Sequence, residues 1–403
     1  MSAASLQFIR AQTLAQVVLA VAEARTLGLV PLVGDPRWSE EHWQLVRNRW
    51  EGETLPQGAA WAALSSGSTG NPRLIVRSDK SWTESFAVLN RILGLTEADL
   101  FYLPGSPASS LTLFSIAHAA NLGAHVTSQL QTVSQTGEVR QATVFHGTPA
   151  LLRTLLNQLE TRVEPAGESG LNLPANSVGE PGIRVALVGG DVLDAQTRAR
   201  AAALGIRVFS YYGAAELSFV AIDPDGKGLL PFEGVELRID DGQLWVRSPY
   251  RAIGYLGDGG ALRETADGWV TVGDLARYTA TEGRLAIRGR ADGAIQIAGA
   301  TVVPEDVEAA LTQLESVAQA VVFGIPNANI GNLVAAVVVF KAEAPASART
   351  AQFLNLKLSA VLSNTHRPRQ WFVAEAIPAT ISGKPARLKV QQSAVAGEYQ
   401  KLD

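Results

Sequence analysis

The sequence contains no cysteine, and its 403 residues include one methionine and five histidines. Without cysteine there are no disulfides, thiolate metal sites, iron–sulfur clusters or cysteine nucleophiles. The absence of cysteine does not identify the cellular compartment, because a chain without cysteine tolerates any redox environment. The histidines show neither metal-ligand spacing nor a serine–aspartate partnership, so we expect them in the core or on the surface. They are His42, His118, His125, His146 and His366.

Long apolar runs are also missing. The most apolar segments, such as residues 334–340, are far shorter than the ~20 residues that span a bilayer. Polar residues interrupt positions 1–20, which therefore do not resemble a signal peptide. These absences predict a cytoplasmic protein with no integral membrane segment.

Charge of one sign does not dominate either. There are 34 Lys and Arg against 38 Asp and Glu, and 34 − 38 gives a net charge of −4. This balance argues against a nucleic-acid partner. An apolar content of 47% with 18% charged residues is typical of a globular protein with a sizeable core.

The order of apolar patterns predicts an α/β fold. Helical spacing at 14–27, 81–93, 150–159 and 194–204 alternates with short apolar segments at 29–33, 100–103, 142–145, 185–188 and 207–211. From Gly234 onward short strands and frequent turns predict a β-rich subdomain. Helical patterns at 303–314 and 351–362, with Val-rich strands, predict a small α+β unit. We expect a large multi-subdomain N-terminal domain (1–289), built of parallel-sheet layers plus the β-rich subdomain, and a small mobile C-terminal domain (290–403).

A glycine-rich loop follows the apolar segment at 61–64. Its glycines let the backbone turn N–H groups inward, and its hydroxyls add donors, so the loop suits a polyphosphate. The loop lacks the Gly-Lys-Ser/Thr ending of the common nucleotide-binding loop. Its residues are Ser65, Ser66, Gly67, Ser68, Thr69, Gly70, Asn71, Pro72 and Arg73.

The loop and four further segments, in order, resemble the adenylate-forming (AMP-binding) family, which includes acyl-CoA synthetases, firefly-type luciferases and peptide-synthetase adenylation domains. The short N-terminal region is most similar to compact bacterial acyl-CoA synthetases and o-succinylbenzoate–CoA ligases. The further segments are Tyr211–Glu216 (Tyr-Tyr-Gly-Ala-Ala-Glu), 268–275 (Gly-Trp-Val-Thr-Val-Gly-Asp-Leu), 289–292 (Gly-Arg-Ala-Asp, continued by Gly299 and 304–308) and 381–387 (Ile-Ser-Gly-Lys-Pro-Ala-Arg).

The resemblance implies an acid–thiol ligase that uses ATP, Mg2+ and CoA. A carboxylate attacks the α-phosphorus of ATP, and a thiol then displaces AMP from the acyl-adenylate. Because an anion attacks an anion, catalysis depends on placement and charge neutralisation.

The resemblance also implies residue roles. Lys384, Glu216 and Thr69 are implied as catalytic, with Glu216 on Mg2+, and Asp292 is the implied hinge. Binding of ATP and CoA is implied for Ser65, Ser66, Gly67, Ser68, Thr69, Gly70, Arg73, Gly189, Gly190, Asp191, Tyr212, Gly213, Ala214, Ala215, Asp274, Arg290 and Gly299.

The sequence departs from the family pattern at two positions and in one segment. Arg73 replaces the usual Lys, and Ala215 replaces a Thr whose hydroxyl is expected at the α-phosphate. Residues 104–111 lack the His or aromatic residue common there. His146 is the exception among the histidines, since by the resemblance it falls where the family lines its acyl pocket.

Several alternatives stay open. The acceptor is CoA or the phosphopantetheine of a carrier protein, and a non-catalytic nucleotide binder is the third reading. The acid is a fatty acid, or instead o-succinylbenzoate or another aryl acid. A homodimer is possible, and only the family resemblance suggests it.

Overall fold

The computed structural model describes residues 5–64, 73–133, 139–163, 182–257, 261–279, 283–290, 293–297, 300–327, 331–380 and 384–403. These residues divide into two compact units. The first contains Met1–Leu237, Val246–Val272 and Thr281–Leu285, and the second contains Arg238–Trp245, Gly273–Ala280 and Ala286–Asp403. The mixed α/β architecture confirms the predicted fold class, whereas the domain boundary at 289/290 stays a prediction.

The helices of the described residues are α1 (Leu14–Thr26), α2 (Glu40–Trp50), α3 (Lys80–Leu93), α4 (Ser110–Leu122), α5 (Pro149–Val163), α6 (Ala195–Ala203), α7 (Pro304–Thr312), α8 (Ala351–Leu358) and α9 (Arg387–Val395). None of these is long and apolar enough to cross a membrane.

The first unit contains β1 (Leu6–Ile9), β2 (Val30–Val33), β3 (Ala59–Leu64), β4 (Leu74–Ser78), β5 (Leu100–Tyr102), β6 (His125–Thr127), β7 (Gln131–Val133), β8 (Val139–Gln141), β9 (Val144–Gly147), β10 (Val185–Val188), β11 (Arg207–Ala214), β12 (Ser218–Asp223) and β13 (Leu230–Pro231). Later strands are β14 (Glu236–Asp240), β15 (Gln243–Arg247), β16 (Gly254–Leu256), β17 (Arg263–Glu264), β18 (Val270–Thr271), β19 (Asp274–Tyr278) and β20 (Leu285–Arg290). The remaining strands are β21 (Ile295–Ile297), β22 (Ala300–Val302), β23 (Val317–Asn327), β24 (Gly331–Phe340), β25 (Gln370–Val373) and β26 (Gln400–Lys401).

Two sheets form the frame of the first unit. One has the order β1-β2-β3-β4-β16, with β1, β2 and β3 parallel and β4 antiparallel to both neighbours. The other has the order β13-β12-β11-β10-β9-β5-β6, and its strands from β11 to β6 are parallel. Strands such as β10 are buried along their whole length, as expected of parallel strands covered on both faces.

The second unit is built on the four-stranded sheet β23-β24-β25-β26. Alternate residues of β23 and β24 enter two clusters, one with α7 and α8 and one with α9. In the same unit Gln243 of β15 pairs with Leu275 of β19, and β20 lies next to β19.

Three helices that the sequence patterns did not predict are present, namely α2, α4 and α9. In α2, Trp43, Val46 and Trp50 are buried at helical spacing, so a signal was available. In α4 the buried residues include Thr112, Ser115 and His118, so apolar and polar residues share the buried faces and the period is obscured.

Candidate functional site

Strand ends of the seven-stranded sheet converge at one edge. Because β5, β9, β10 and β11 are parallel, their carboxyl ends meet at the same edge, where α/β sheets commonly bind ligands. Val188 of β10 pairs with both Gly147 of β9 and Ser210 of β11. Strand β11 continues past Ser210 to Ala214, so its hairpin with β12 projects beyond this edge.

The tip of this hairpin carries Glu216. The amide of Leu217 donates to the carbonyl of Ala214 at 3.0 Å, which closes the turn. A Cβ atom on Gly213 would lie 2.1 Å from the carbonyl oxygen of Ser218. Since that neighbour is backbone and cannot give way, only glycine fits at this position. The glycine of the sequence motif therefore has a steric cause.

Glu216 has a specific hydroxyl partner. The hydroxyl of Tyr255 donates to Oε1 of Glu216 at 2.8 Å, and both side chains are half-buried. Tyr255 lies on β16, where it pairs with Ile75 of β4. Burial, followed by the charge of Glu216 and the hydrogen bond to it, raises the pKa of Tyr255 to about 12. The phenol therefore stays protonated at neutral pH and acts as a donor.

Arg73 completes this cluster. Its guanidinium carbon lies 5.1 Å from the centroid of the Tyr255 ring. A flat guanidinium stacks on an aromatic ring in a way that an ammonium does not reproduce, so the departure from Lys has a structural counterpart. Sequence reasoning missed Tyr255, because it is 39 residues from Glu216 and stands in a short apolar segment with no motif signal.

Of the glycine-rich loop and its surroundings, the structure describes Arg73 and the flanking strands β3 and β4. Ser65, Ser66, Gly67, Ser68, Thr69 and Gly70 lie outside the described residues. Leu64 at the end of β3 pairs with Leu74 at the start of β4, so the loop joins two adjacent antiparallel strands. Arg73 stands directly before β4.

Gly189, Gly190 and Asp191 follow β10 as the sequence predicts. A Cβ atom on Gly189 would lie 2.2 Å from Cζ of Tyr211, so the tyrosine ring packs on the glycine backbone. Gly190 has φ +88°, which favours glycine. Asp191 is exposed and accepts from the amide of Val192 at 2.8 Å. Tyr212 is half-buried in β11, which neighbours β10.

His146 belongs to a buried polar network at the same edge. Its Nδ1 lies 2.5 Å from the Ser115 hydroxyl, and its Nε2 lies 3.0 Å from the Tyr211 hydroxyl. Burial, with a smaller contribution from the charge of His118, lowers the pKa of His146 to about 3. The imidazole is therefore neutral at neutral pH, and both of its ring nitrogens are engaged by Ser115 and Tyr211.

The second unit holds Asp274, Arg290 and Lys384. Asp274 is the half-buried first residue of β19, and Arg290 is the last residue of β20. Lys384 is exposed, and its carbonyl accepts from the amide of Thr380 at 2.7 Å. Asp292 and Gly299 lie outside the described residues.

Arg387 anchors the segment that carries Lys384. Its guanidinium donates to Glu308, to Glu305 at 2.7 Å and to the carbonyl of Val322 at 2.6 Å. Burial raises the pKa of Glu308, and the charge of Arg387 opposes this shift. The arginine that follows the lysine motif thus ties the start of α9 to α7 and β23.

The candidate site contains a carboxylate of the kind that binds Mg2+. Within the described ranges there is no group of three or more His, Cys, Asp or Glu side chains that could hold a metal ion. Glu216 supplies a carboxylate, the ligand type that Mg2+ prefers, and Mg2+ commonly takes one or two carboxylates together with phosphates and waters.

Family models match most of the chain. The model described as AMP-binding enzyme matches residues 2–256, and the model of the AMP-binding enzyme C-terminal domain matches residues 306–384. An uncharacterised acyl–CoA ligase (YhfT) of Bacillus subtilis is 27% identical over 84% of this chain and 69% of its own length. A probable 2-succinylbenzoate–CoA ligase of Mycobacterium tuberculosis is 28% identical over 83% of this chain and 85% of its own.

Solved structures share the fold. The o-succinylbenzoate CoA synthetase (MenE) of Bacillus subtilis, in complex with the acyl-adenylate intermediate OSB-AMP, has a TM-score of 0.75 at 18% identity, covering 99% of this chain and 89% of that one. ATP-bound MatB of Rhodopseudomonas palustris has a TM-score of 0.77 at 17% identity, covering 98% and 89%.

Proposed function

The chain belongs to the AMP-binding enzyme family, and we propose from this premise that it is an AMP-forming acid–thiol ligase that uses ATP, Mg2+ and CoA. The observation that carries the proposal is the cluster of Arg73, Tyr255 and Glu216. It places an oriented carboxylate and a cation next to the strand that leaves the glycine-rich loop. The names of the ligase relatives support the same reaction class.

The proposed reaction has two steps, formation of an acyl-adenylate and formation of a thioester. A carboxylate oxygen of the acid bonds to the α-phosphorus of ATP, and pyrophosphate leaves. The sulfur of CoA then bonds to the acyl carbon, and AMP leaves with the oxygen that came from the acid. The thiol proton passes to solvent. The chain's part is to hold the two anions in line and to offset their charge.

The proposed roles follow the sequence motifs. Glu216, with its carboxylate oriented by Tyr255, would hold Mg2+, and Lys384 would neutralise the carboxylate of the acid and the α-phosphate. Asp274 accepts the ribose hydroxyls, and Arg290 reaches the ribose or phosphate region. Asp292 is the hinge between domains 1–289 and 290–403, and Gly299 lies beside the CoA arm. The loop from Ser65 to Gly70, with Thr69, wraps the phosphates together with Arg73, while Gly189, Gly190, Asp191, Tyr212, Gly213, Ala214 and Ala215 border the adenine and α-phosphate.

For the acid we propose a compact acyl or aryl carboxylate whose acyl or aryl group carries no further charge. The ring of Tyr211 packs across Gly189 at the strand ends, and neutral His146 lies against it. The half-buried ring of Tyr211 offers a flat aromatic surface, which suits an aromatic ring better than a long alkyl chain. Fatty acids of increasing length, benzoates and 2-succinylbenzoate form the test panel.

The test measures AMP and pyrophosphate formation with ATP, Mg2+, CoA and this panel. We expect acid-dependent AMP, and we expect Glu216→Gln to reduce it strongly. Glu233→Gln is the matched control, because Glu233 is an exposed carboxylate of the same unit that pairs with Arg91. No AMP with any acid, or equal effects of the two substitutions, would contradict the proposal.

Separate experiments test two alternatives: a carrier protein as the thiol acceptor, and a nucleotide binder without turnover. Mass spectrometry of the thioester, with CoA and a phosphopantetheinylated carrier protein offered separately, identifies the acceptor. Ala215 has no hydroxyl where the family has a Thr, which favours a nucleotide binder without turnover as the second candidate. ATP binding in calorimetry without pyrophosphate exchange would support that candidate.

A further inference from the structure

A buried arginine lies beneath the Glu216 hairpin. Arg77, on β4, is 1% exposed and is among the largest fully buried side chains of the described chain. Burial lowers its pKa to about 9, and the nearby charge of Glu216 opposes this shift, so the guanidinium remains charged at neutral pH. It lies 5.6 Å from the centroid of the Trp82 ring.

Within the part of the chain that the structure describes, the guanidinium binds backbone carbonyls and no carboxylate. One terminal nitrogen donates to the carbonyl of Ala215, and the other donates to the carbonyl of Tyr250. Among the described residues its Nε has no hydrogen-bond partner. Burying a cation is costly, and the hydrogen bonds to the two carbonyls offset part of that cost.

These contacts join three segments of the candidate site. Ala215 directly precedes Glu216 in the hairpin turn, and Tyr250 starts the segment that leads to Tyr255. The amide of Ala252 in this segment also donates to the carbonyl of Glu216 at 2.6 Å. Arg77 itself lies on the strand that leaves the glycine-rich loop. One guanidinium therefore fixes the turn that carries Glu216 relative to both the Tyr255 segment and β4.

We propose that Arg77 is a positioning residue for Glu216: by bridging Ala215 and Tyr250 it holds the turn so that the carboxylate keeps the orientation in which it would bind Mg2+. The inference rests on the proposed function, because it assigns Glu216 to the metal. Arg77 acts through the backbone and does not contact the nucleotide. Lysine cannot replace it fully, since an ammonium on a flexible stem does not present two forked donors to separate carbonyls.

The test compares Arg77→Met and Arg77→Lys with Arg184→Met and Arg184→Lys. Arg184 is the matched control because it also donates to two backbone carbonyls, those of Leu93 and Gly94, and pairs with Asp99. Three quantities are measured for each variant: the melting temperature, the dissociation constant of Mg2+·ATP by calorimetry, and the Mg2+ concentration that gives half-maximal AMP formation.

We expect Arg77→Met to weaken Mg2+·ATP binding and to raise the half-saturating Mg2+ concentration by about tenfold or more, with a smaller effect for Arg77→Lys. The Arg184 variants should lower the melting temperature and leave both Mg2+ quantities within about twofold of the native protein. If Arg77→Met does not fold, Arg77→Lys decides the question with the same readouts.

Unchanged Mg2+ quantities in a folded Arg77 variant would overturn the inference, and so would equal shifts in the Arg184 variants. Failure of the proposed function has a different signature. In that case the native protein forms no AMP with any acid, while the calorimetric comparison still tests Arg77.

Discussion

Replacing Tyr255 with phenylalanine is the sharpest small perturbation of the candidate site. The change removes only the hydroxyl that donates to Glu216 at 2.8 Å, while the ring that Arg73 contacts is kept. A hydrogen bond to a charged group contributes about 1.5–3 kcal/mol. Both partners are half-buried, so we take the lower end, about 1.5 kcal/mol, which corresponds to slightly more than about a tenfold change.

The expected effect falls on the metal-dependent step. With its carboxylate no longer oriented, Glu216 should bind Mg2+·ATP less well, so the half-saturating Mg2+ concentration should rise about tenfold or the rate of AMP formation should fall to a similar extent. The assay follows initial AMP formation over a Mg2+ titration, together with the melting temperature. Tyr399→Phe in the second unit is the control and should change neither kinetic quantity.

A double-mutant cycle with Glu216→Gln checks the assignment. If the hydroxyl acts through the carboxylate, the two substitutions should be non-additive by about 1 kcal/mol or more. Full additivity, or a Tyr255→Phe enzyme with native rates and native Mg2+ dependence, would refute the reasoning.

Three further predictions concern other groups. Lys384→Ala should slow adenylate formation by about a hundredfold or more while Mg2+·ATP binding stays near native, and Lys389→Ala, which removes another exposed lysine, should have little effect; equal losses would contradict the role of Lys384. Burial lowers the pKa of His118 to about 4, so the unfolded chain binds more protons between pH 6.5 and 4, and the free energy of unfolding should fall by up to about 3 kcal/mol as pH drops through this window. Denaturant titrations of native protein and His118→Gln should show a shallower fall in the variant, and parallel curves would contradict this. Tyr211→Ala should extend the accepted acids toward longer chains whereas Tyr211→Phe should not, as measured by AMP formation over the acid panel; unchanged selectivity in Tyr211→Ala would remove this residue from the acyl site.

Patterns with one dominant period could be predicted from the sequence. Residues 14–27 and 185–188 matched α1 and β10 closely, because a single buried face or a fully buried strand leaves a clear apolar pattern. The helix α4 was missed because buried Thr112, Ser115 and His118 interrupt its apolar residues.

Motifs identified the hairpin of the site but not its partners. The close approach of Gly213 to Ser218 is local, and the glycine of the motif reflects it. The contact from Arg77 to Ala215 spans 138 residues and depends on how β4 and the hairpin pack, which no spacing rule contains. The bond from Tyr255 to Glu216 has the same origin. Long-range hydrogen bonds of this kind are specified by tertiary packing rather than by local pattern.

The most direct measurement of the central claim follows the oxygen atoms of the acid. An accepted acid labelled with 18O in its carboxylate is incubated with ATP, Mg2+ and CoA, and the products are analysed by mass spectrometry. Attack of the carboxylate on the α-phosphorus predicts one 18O atom in AMP and none in pyrophosphate. Label in pyrophosphate or inorganic phosphate, or thioester formed with unlabelled AMP, would contradict the account.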